Sequence, residues 1–315
     1  MIRLFFATDI HGSEKCFLKF LNAWKYYPVQ ILILGGDMTG KGIVPIVHEA
    51  SGHYSAHFLD QSYDLTLESE VQELEKNIRF NSFYPCRVSP DEYQVLESSK
   101  AERTKLFARV IVEQVERWEQ LAEDRLKGSG IPCYLMPGND DILDIDRVLN
   151  QGTAMINSDG KVIEVAPGWF MLSAGYSNHT PWHGPREFDE DELARRADQM
   201  ARQVPSGGRM IFNFHCPPSD SGLDTVQLVD KDFRPRFNGM QPIMGPAGST
   251  AVRQAYERHQ PLLGLHGHVH ESKGWHKIGK GLAINPGSEY ASGILKGVVV
   301  ALGKSKVEAH MFTSG

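Results

Sequence analysis

The run Ile31-Leu32-Ile33-Leu34-Gly35-Gly36-Asp37 limits the fold more than any other stretch: four aliphatic residues stop abruptly at two glycines and a carboxylate. An aliphatic run of that length, bounded by turn residues, reads as a strand buried on both faces, the environment of a parallel strand in an α/β sheet. Asp37 then stands at the carboxyl end of a rigid, dry element, which is the edge where such sheets place their chemistry.

The same pattern recurs along the chain. Residues 3–8 (RLFFAT) lead into Asp9-Ile10-His11-Gly12. In extended chain, residues 9 and 11 point to one side and offer a carboxylate and an imidazole to one ion. Ser13 reads as the N-cap of a helix with Phe17, Phe20, Leu21 and Trp24 at helical spacing. Residues 132–136 (PCYLM) end in Pro137-Gly138-Asn139-Asp140-Asp141. Residues 209–214 (RMIFNF) end in His215-Cys216-Pro217-Pro218, and residues 262–265 in His266-Gly267-His268-Val269-His270. Singly, each ending fits a surface turn. In succession, they line one rim of a sheet with Asp, His and Asn donors, a set suited to Mn, Fe, Ni, Co or Zn and unlike a thiolate cage.

Between these strands, residues 38–127 form a long excursion. It holds β-like fragments over 43–65, a helix over 68–79 and a long amphipathic helix over 97–127 that buries Val110, Ile111, Val115 and Trp118. His48, His53 and His57 match no compact metal site and read as a solvated hairpin. Residues 162–165 and 169–173 pair as strands, and residues 175–184 form a loop rich in aromatic and imidazole groups before an acidic helix start. Residues 219–248 are too irregular to assign. Ser249 caps a short helix, and residues 297–302 and 306–311 close the sheet as a hairpin. The whole reads as one domain over 1–315 with an insertion of hairpins and helices at about 40–127.

With 41% hydrophobic and 23% charged residues the composition is that of a soluble globular protein. A net charge of -6 and a pI near 6.1 exclude a broad electrostatic footprint for nucleic acid or an anionic membrane. The N-terminus lacks a basic region and a small-residue cleavage site, and no apolar segment approaches the roughly 20 residues of a membrane span. Four scattered cysteines fit a reducing cytoplasm.

The order D-x-H, G-D, G-N-x, H and G-H-x-H resembles the calcineurin-like metallophosphoesterase superfamily over nearly the whole chain. Closer segments are similar to its Icc-related prokaryotic phosphoesterases: residues 36–41 (GDMTGK), Ser177-Asn178-x-Thr180-Pro181, His215-x-Pro217-Pro218, residues 267–272 (GHVHES) and residues 285–290 (NPGSEY). The resemblance implies a four-layer α/β/β/α sandwich of two mixed sheets flanked by helices, and two divalent ions, Mn favoured. Asp9, His11 and His270 would hold one ion, Asn139, His215 and His268 the other, and Asp37 would bridge. It implies hydrolysis of a phosphoester by a metal-bridging hydroxide, with Asp37 and Asn139 in the catalytic centre. His266 matches no ligand position, and the NPGS turn shapes the site without binding metal.

One position departs from the pattern. Where the superfamily usually has a histidine that protonates the leaving oxygen, this chain has Asp140. An ionised carboxylate cannot donate a proton and repels a dianionic monoester more than a monoanionic diester. The expectation is therefore a phosphodiesterase, with His179 or His183 as substitute acid. The alternatives are a phosphomonoesterase or protein phosphatase on the same metals, and a non-catalytic interaction scaffold, which the full set of seven ligands disfavours. The expected partner is a small phosphate ester. Nucleic acid enters only as a substrate, no membrane is involved, and the oligomeric state is open, a dimer included.

Overall fold

The computed structural model describes residues 1–40, 42–230 and 234–315. Lys41, the last residue of the GDMTGK segment, lies outside them. Two six-stranded mixed sheets organise the chain. The first has the order Val307–Ser314, Lys296–Leu302, Ile2–Ala7, Ile31–Gly35, Cys133–Met136, Ile156–Asn157. The second has the order Gly274–Ile278, Gly281–Asn285, Leu263–Leu265, Arg209–Phe214, Trp169–Ala174, Val162–Ala166.

The strand Ile31–Gly35 lies between two parallel neighbours, Ile2–Ala7 and Cys133–Met136. Its side chains alternate as a strand's must. Ile31 and Ile33 join an apolar cluster with Leu4, Phe6, Met171, Ile211, Leu263, Leu265 and Ile284, residues of both sheets, so the sheets pack face to face. Leu32 and Leu34 join a second cluster with Phe17, Phe20, Val115 and Trp118 of the helices Glu14–Tyr26 and Lys100–Leu126. The second sheet buries its other face, through Leu172, Phe212 and Ala283, against Ala197, Val252 and Tyr256 of the helices Glu190–Ala201 and Thr250–His259. Each fully buried aliphatic side chain contributes about 1.5–3 kcal/mol, so this strand is anchored from both sides. All the parallel strands of a sheet end at one edge, and the loops that follow them carry the candidate site.

Between Ile31–Gly35 and Cys133–Met136, the chain builds a four-stranded sheet in the order Gln61–Leu65, Tyr54–Phe58, Gly42–His48, Phe83–Val88, with the helix Glu68–Phe80 on one face. Ser13 and Ser249 cap their helices as read from sequence, accepting from Cys16 N–H and Val252 N–H. The helix read over 97–127 is two: Pro90–Ser98 and Lys100–Leu126 meet at Ser99, which is extended and whose hydroxyl caps the second. Among the described residues, no helix is long and apolar enough to cross a membrane.

Candidate metal centre

Asp9, His11, Asp37, Asn139 and His215 are all at most 2% exposed. Buried charge on this scale needs partners. Extended-chain alternation would put Asp9 and His11 on one face, and the backbone corrects this expectation. Asp9 (φ 52°), His11 (φ 39°), Asp37 (φ 48°) and His268 (φ 67°) are left-handed. A non-glycine residue there costs of order 1–3 kcal/mol and persists only where its surroundings fix it. The fixing contacts cross between loops: Asp9 N–H donates to Gly36 O (3.0 Å), His11 N–H to Asp37 O (2.9 Å), and Ser288 Oγ to Asp9 O (2.6 Å). The His268 N–H in turn donates to the Asp9 carboxylate (3.1 Å).

Three overlapping groups result: Asp9, His11 and His270; Asp9, Asp37 and His215; and His11, Asp37 and Asp140. In each, the ligand atoms lie within 4.8 Å of one another, so these His and Asp residues, all buried except the half-buried His270 and Asp140, could hold a metal ion. The first group is the set read from sequence for one ion. For the other, His268 Nδ1 is 2.7 Å from Asn139 Oδ1, and His215 Nε2 is 3.4 Å from Asp37 Oδ2. Asp37 belongs to two groups, and so do Asp9 and His11.

The separations test the fit to a cation. Two donors about 2.1 Å from one ion, at tetrahedral or octahedral angles, stand about 3.0–3.4 Å apart. His11 Nε2 and His270 Nε2, 3.0 Å apart, and His270 Nε2 and Asp9 Oδ1, 3.4 Å apart, fall in that range, while His11 Nε2 and Asp37 Oδ2 stand wider at 3.7 Å. His215 gives the sharpest sign. Its Nδ1–H donates to Gly35 O (2.8 Å), while its buried Nε2 has no hydrogen-bond partner and faces the carboxylates. That arrangement is how an outer carbonyl orients a ligating imidazole. Without a metal, the charge balance falls on the same ring. Burial would lower the His215 pKa, but Asp37 and Asp9 hold it up to about 10. Burial likewise pushes Asp9 up, yet the His270 hydrogen bond and the His215 charge bring it down to about 2, and Asp37 is held below the usual carboxylate range by His215 and His11.

Space for these side chains comes from glycine. A Cβ on Gly138 would stand 2.2 Å from Asp37 Oδ1, and one on Gly267 2.2 Å from Asp9 Oδ2. His266 is fully buried, with Nδ1 2.7 Å from Phe214 O and Nε2 2.7 Å from Tyr256 Oη, and burial lowers its pKa to about 4. It braces the two strand ends next to His215 and His268. The NPGS turn works largely through side chains: Asn285 Nδ2 donates to Val269 O (2.9 Å), and Ser288 reaches Asp9.

Asp141 carries a role that the sequence did not disclose. Fully buried, its carboxylate accepts from Met38 N–H (3.0 Å), Thr39 N–H (2.8 Å), Thr39 Oγ (2.5 Å) and Gly138 N–H (2.7 Å), tying the loop of Asp37 to the loop of Asn139. Arg186, 1% exposed, extends the brace by donating to Asp141 O (2.8 Å) and Ile142 O (3.0 Å). Both are the kind of buried ionic residue that only a packed neighbourhood reveals.

His179 and His183 lie on the loop held by Arg186. His179 is paired with Asp189 (3.0 Å) and Glu187 (3.5 Å), and its side chain is 57% exposed. His183 is exposed in a left-handed turn. It precedes Gly184, where a Cβ would lie 2.7 Å from Asn139 O, so this loop runs against the centre. Neither histidine is among the three clustered groups.

No family model matches the chain. It is 28% identical over 174 residues to an uncharacterized protein of Methanocaldococcus jannaschii, MJ1162, across 55% of this chain and 70% of that one. Among solved structures, one crystal structure has a TM-score of 0.57 at 14% identity, covering 99% of this chain and 98% of its own. TT1561 of Thermus thermophilus has a TM-score of 0.54 at 12% identity, covering 100% and 98%. At such identities the likeness shows the fold alone, a mixed α/β arrangement.

Proposed function

We propose that the chain is a dinuclear metal-dependent phosphoesterase of the calcineurin-like superfamily, allied to its Icc-related members, and that it hydrolyses phosphodiesters in the cytoplasm. The order helices, sheet, sheet, helices supports the four-layer sandwich of that superfamily. Asp9, His11 and His270 would hold one ion, Asn139, His215 and His268 the other, with Asp37 shared and Mn the metal favoured. The observation that carries this reading is the buried Nε2 of His215, which makes no hydrogen bond and is turned by Gly35 O to face the Asp37 carboxylate at 3.4 Å.

Divalent ions bound there supply Lewis acidity toward phosphoryl oxygens and a more acidic water. The chain's own residues do the rest. Gly35 O keeps the His215 tautomer fixed, and Asp141 keeps Asp37 and Asn139 in register. The Asp140 carboxylate disfavours a second negative charge on the substrate, which selects a monoanionic diester. His183 is the better substitute acid, since His179 is engaged by two carboxylates.

The test is hydrolysis of bis-p-nitrophenyl phosphate against p-nitrophenyl phosphate with added Mn. The expected result is diester hydrolysis that EDTA abolishes, with melting raised by Mn. At a free concentration of 100 times Kd the ion adds about 2.7 kcal/mol. On a diester with an alkoxide leaving group, whose departure needs a proton, His183→Ala lowers the rate about a hundredfold if it is the acid. A monoester preference overturns the diester assignment, and protein that neither binds metal nor hydrolyses either ester overturns the whole reading.

A further inference from the structure

We infer that Asp140 is itself a ligand of the metal centre, a third carboxylate on the ion beside His11 and Asp37. This rests on the dinuclear reading above and goes beyond it, since that reading gives Asp140 only a repulsive role. Three observations place the residue. Its carboxylate falls within 4.8 Å of the ligand atoms of both His11 and Asp37. Its N–H donates to Asp37 Oδ1 (3.0 Å), which holds the residue against that shared carboxylate. Its Oδ1 accepts from Asn139 Nδ2 (3.0 Å), which turns Asn139 Oδ1 toward His268 (2.7 Å). Asp140 thus contacts Asn139 through its carboxylate and Asp37 through its N–H, residues assigned to both ions. A second sign of a cation beside Asp37 is independent of acidic side chains: the fully buried Nε2 of His215, assigned above to the other ion, makes no hydrogen bond and faces the same Asp37 Oδ2 that His11 faces.

Two consequences follow for the substrate. Two divalent ions against Asp9, Asp37 and Asp140 leave one net positive charge before substrate or hydroxide binds, enough to draw in a monoanionic diester and poorly matched to a dianion. A carboxylate engaged by a cation also cannot hand a proton to the leaving oxygen. The favoured substrates are therefore diesters with a leaving group that departs as an anion, or one protonated from the opposite side of the site.

The variants separate ligation from simple orientation. Asp140→Asn keeps an oxygen to accept from Asn139 Nδ2 and removes the charge, whereas Asp140→Ala removes both. Mn binding is measured by titration calorimetry and metal content by elemental analysis, with melting in EDTA as the check on folding. The expected result is two ions in the wild type, and for both variants tenfold to a hundredfold weaker binding of one ion with unchanged melting in EDTA. Wild-type affinity in Asp140→Asn with loss only in Asp140→Ala overturns the proposal and makes Asp140 a positioning residue for Asn139. Wild-type affinity in both variants overturns it as well, while leaving the dinuclear reading intact. A wild-type protein that binds no divalent ion overturns both.

Discussion

The inserted sheet and the strand-end rim both carry several histidines, and they use them in opposite ways. His48, His53 and His57 lie within one short stretch of sequence, all three on the surface, and each meets a local partner: His48 stacks on Tyr54 (4.4 Å between centroids), His53 faces Asp64 (3.3 Å) and His57 faces Ser62 (3.3 Å). At the rim, His11 and His270 are 259 positions apart and place their Nε2 atoms 3.0 Å from each other. Closeness along the chain yields solvated pairs along a hairpin. Closeness after folding, delivered by parallel strands that all end at one edge, yields a buried cluster whose charges only each other, or a cation, can balance.

The largest expected effect lies at Asp37, the carboxylate proposed to serve both ions. Asp37→Asn removes a charge that faces both His11 and His215, at 3.7 Å and 3.4 Å. Losing an outer-sphere partner of a metal ligand typically costs 10–100-fold in affinity or activity, so losing a shared ligand should cost about a hundredfold or more. Metal analysis and diester hydrolysis check this together. If the variant loses one ion and keeps the other at wild-type affinity, Asp37 serves a single ion and the rim is two separate sites.

Next comes Asp141, whose effect should appear in stability as well as in metal binding. Asp141→Ala leaves the N–H groups of Met38, Thr39 and Gly138 and the Thr39 hydroxyl without their buried acceptor. Each unsatisfied buried donor costs about 1–3 kcal/mol, and even with relaxation the sum should reach about 3 kcal/mol or more. Chemical denaturation in EDTA measures it. A loss below about 1 kcal/mol would mean that the loops of Asp37 and Asn139 are held by something other than this carboxylate.

The rim was legible in the sequence because its signals are local and of one kind: an apolar run that stops at a donor, with a glycine just before it at Asp37, Asn139 and His268. The strands ending at Asp9, Asp37, Asn139, His215 and His268 could be read that way, and so could the caps Ser13 and Ser249. What escaped has physical reasons. The strand Phe83–Val88 contains Pro85, which argues against a strand until one knows that it lies at the edge of its sheet, where a missing N–H is tolerated. Gly274–Ile278 is likewise an edge strand, and its exposed Trp275, His276 and Lys277 show no alternation to read. The left-handed turns at Asp9, His11 and Asp37 are set by hydrogen bonds from other loops, so no local propensity announces them. Asp141 and Arg186 look like surface charges in a linear sequence, and only their burial gives them a role.

The smallest expected effect completes the contrast. Replacing His48, His53 and His57 together by alanine removes three imidazoles, as many as the rim would lose by replacing His11, His215 and His270. In the inserted sheet, the exposed His53–Asp64 pair is worth at most about 1 kcal/mol. The His48–Tyr54 stack adds about 0.5–1.5 kcal/mol. The triple variant should therefore melt only slightly lower, bind Mn with wild-type stoichiometry and affinity, and hydrolyse a diester within about twofold of the wild type. The informative readout is metal stoichiometry, because a modest drop in melting is expected whichever way the histidines work. Loss of an ion in this variant would mean that the inserted sheet supplies a ligand from outside the rim, and the division of labour between the two regions would have to be redrawn.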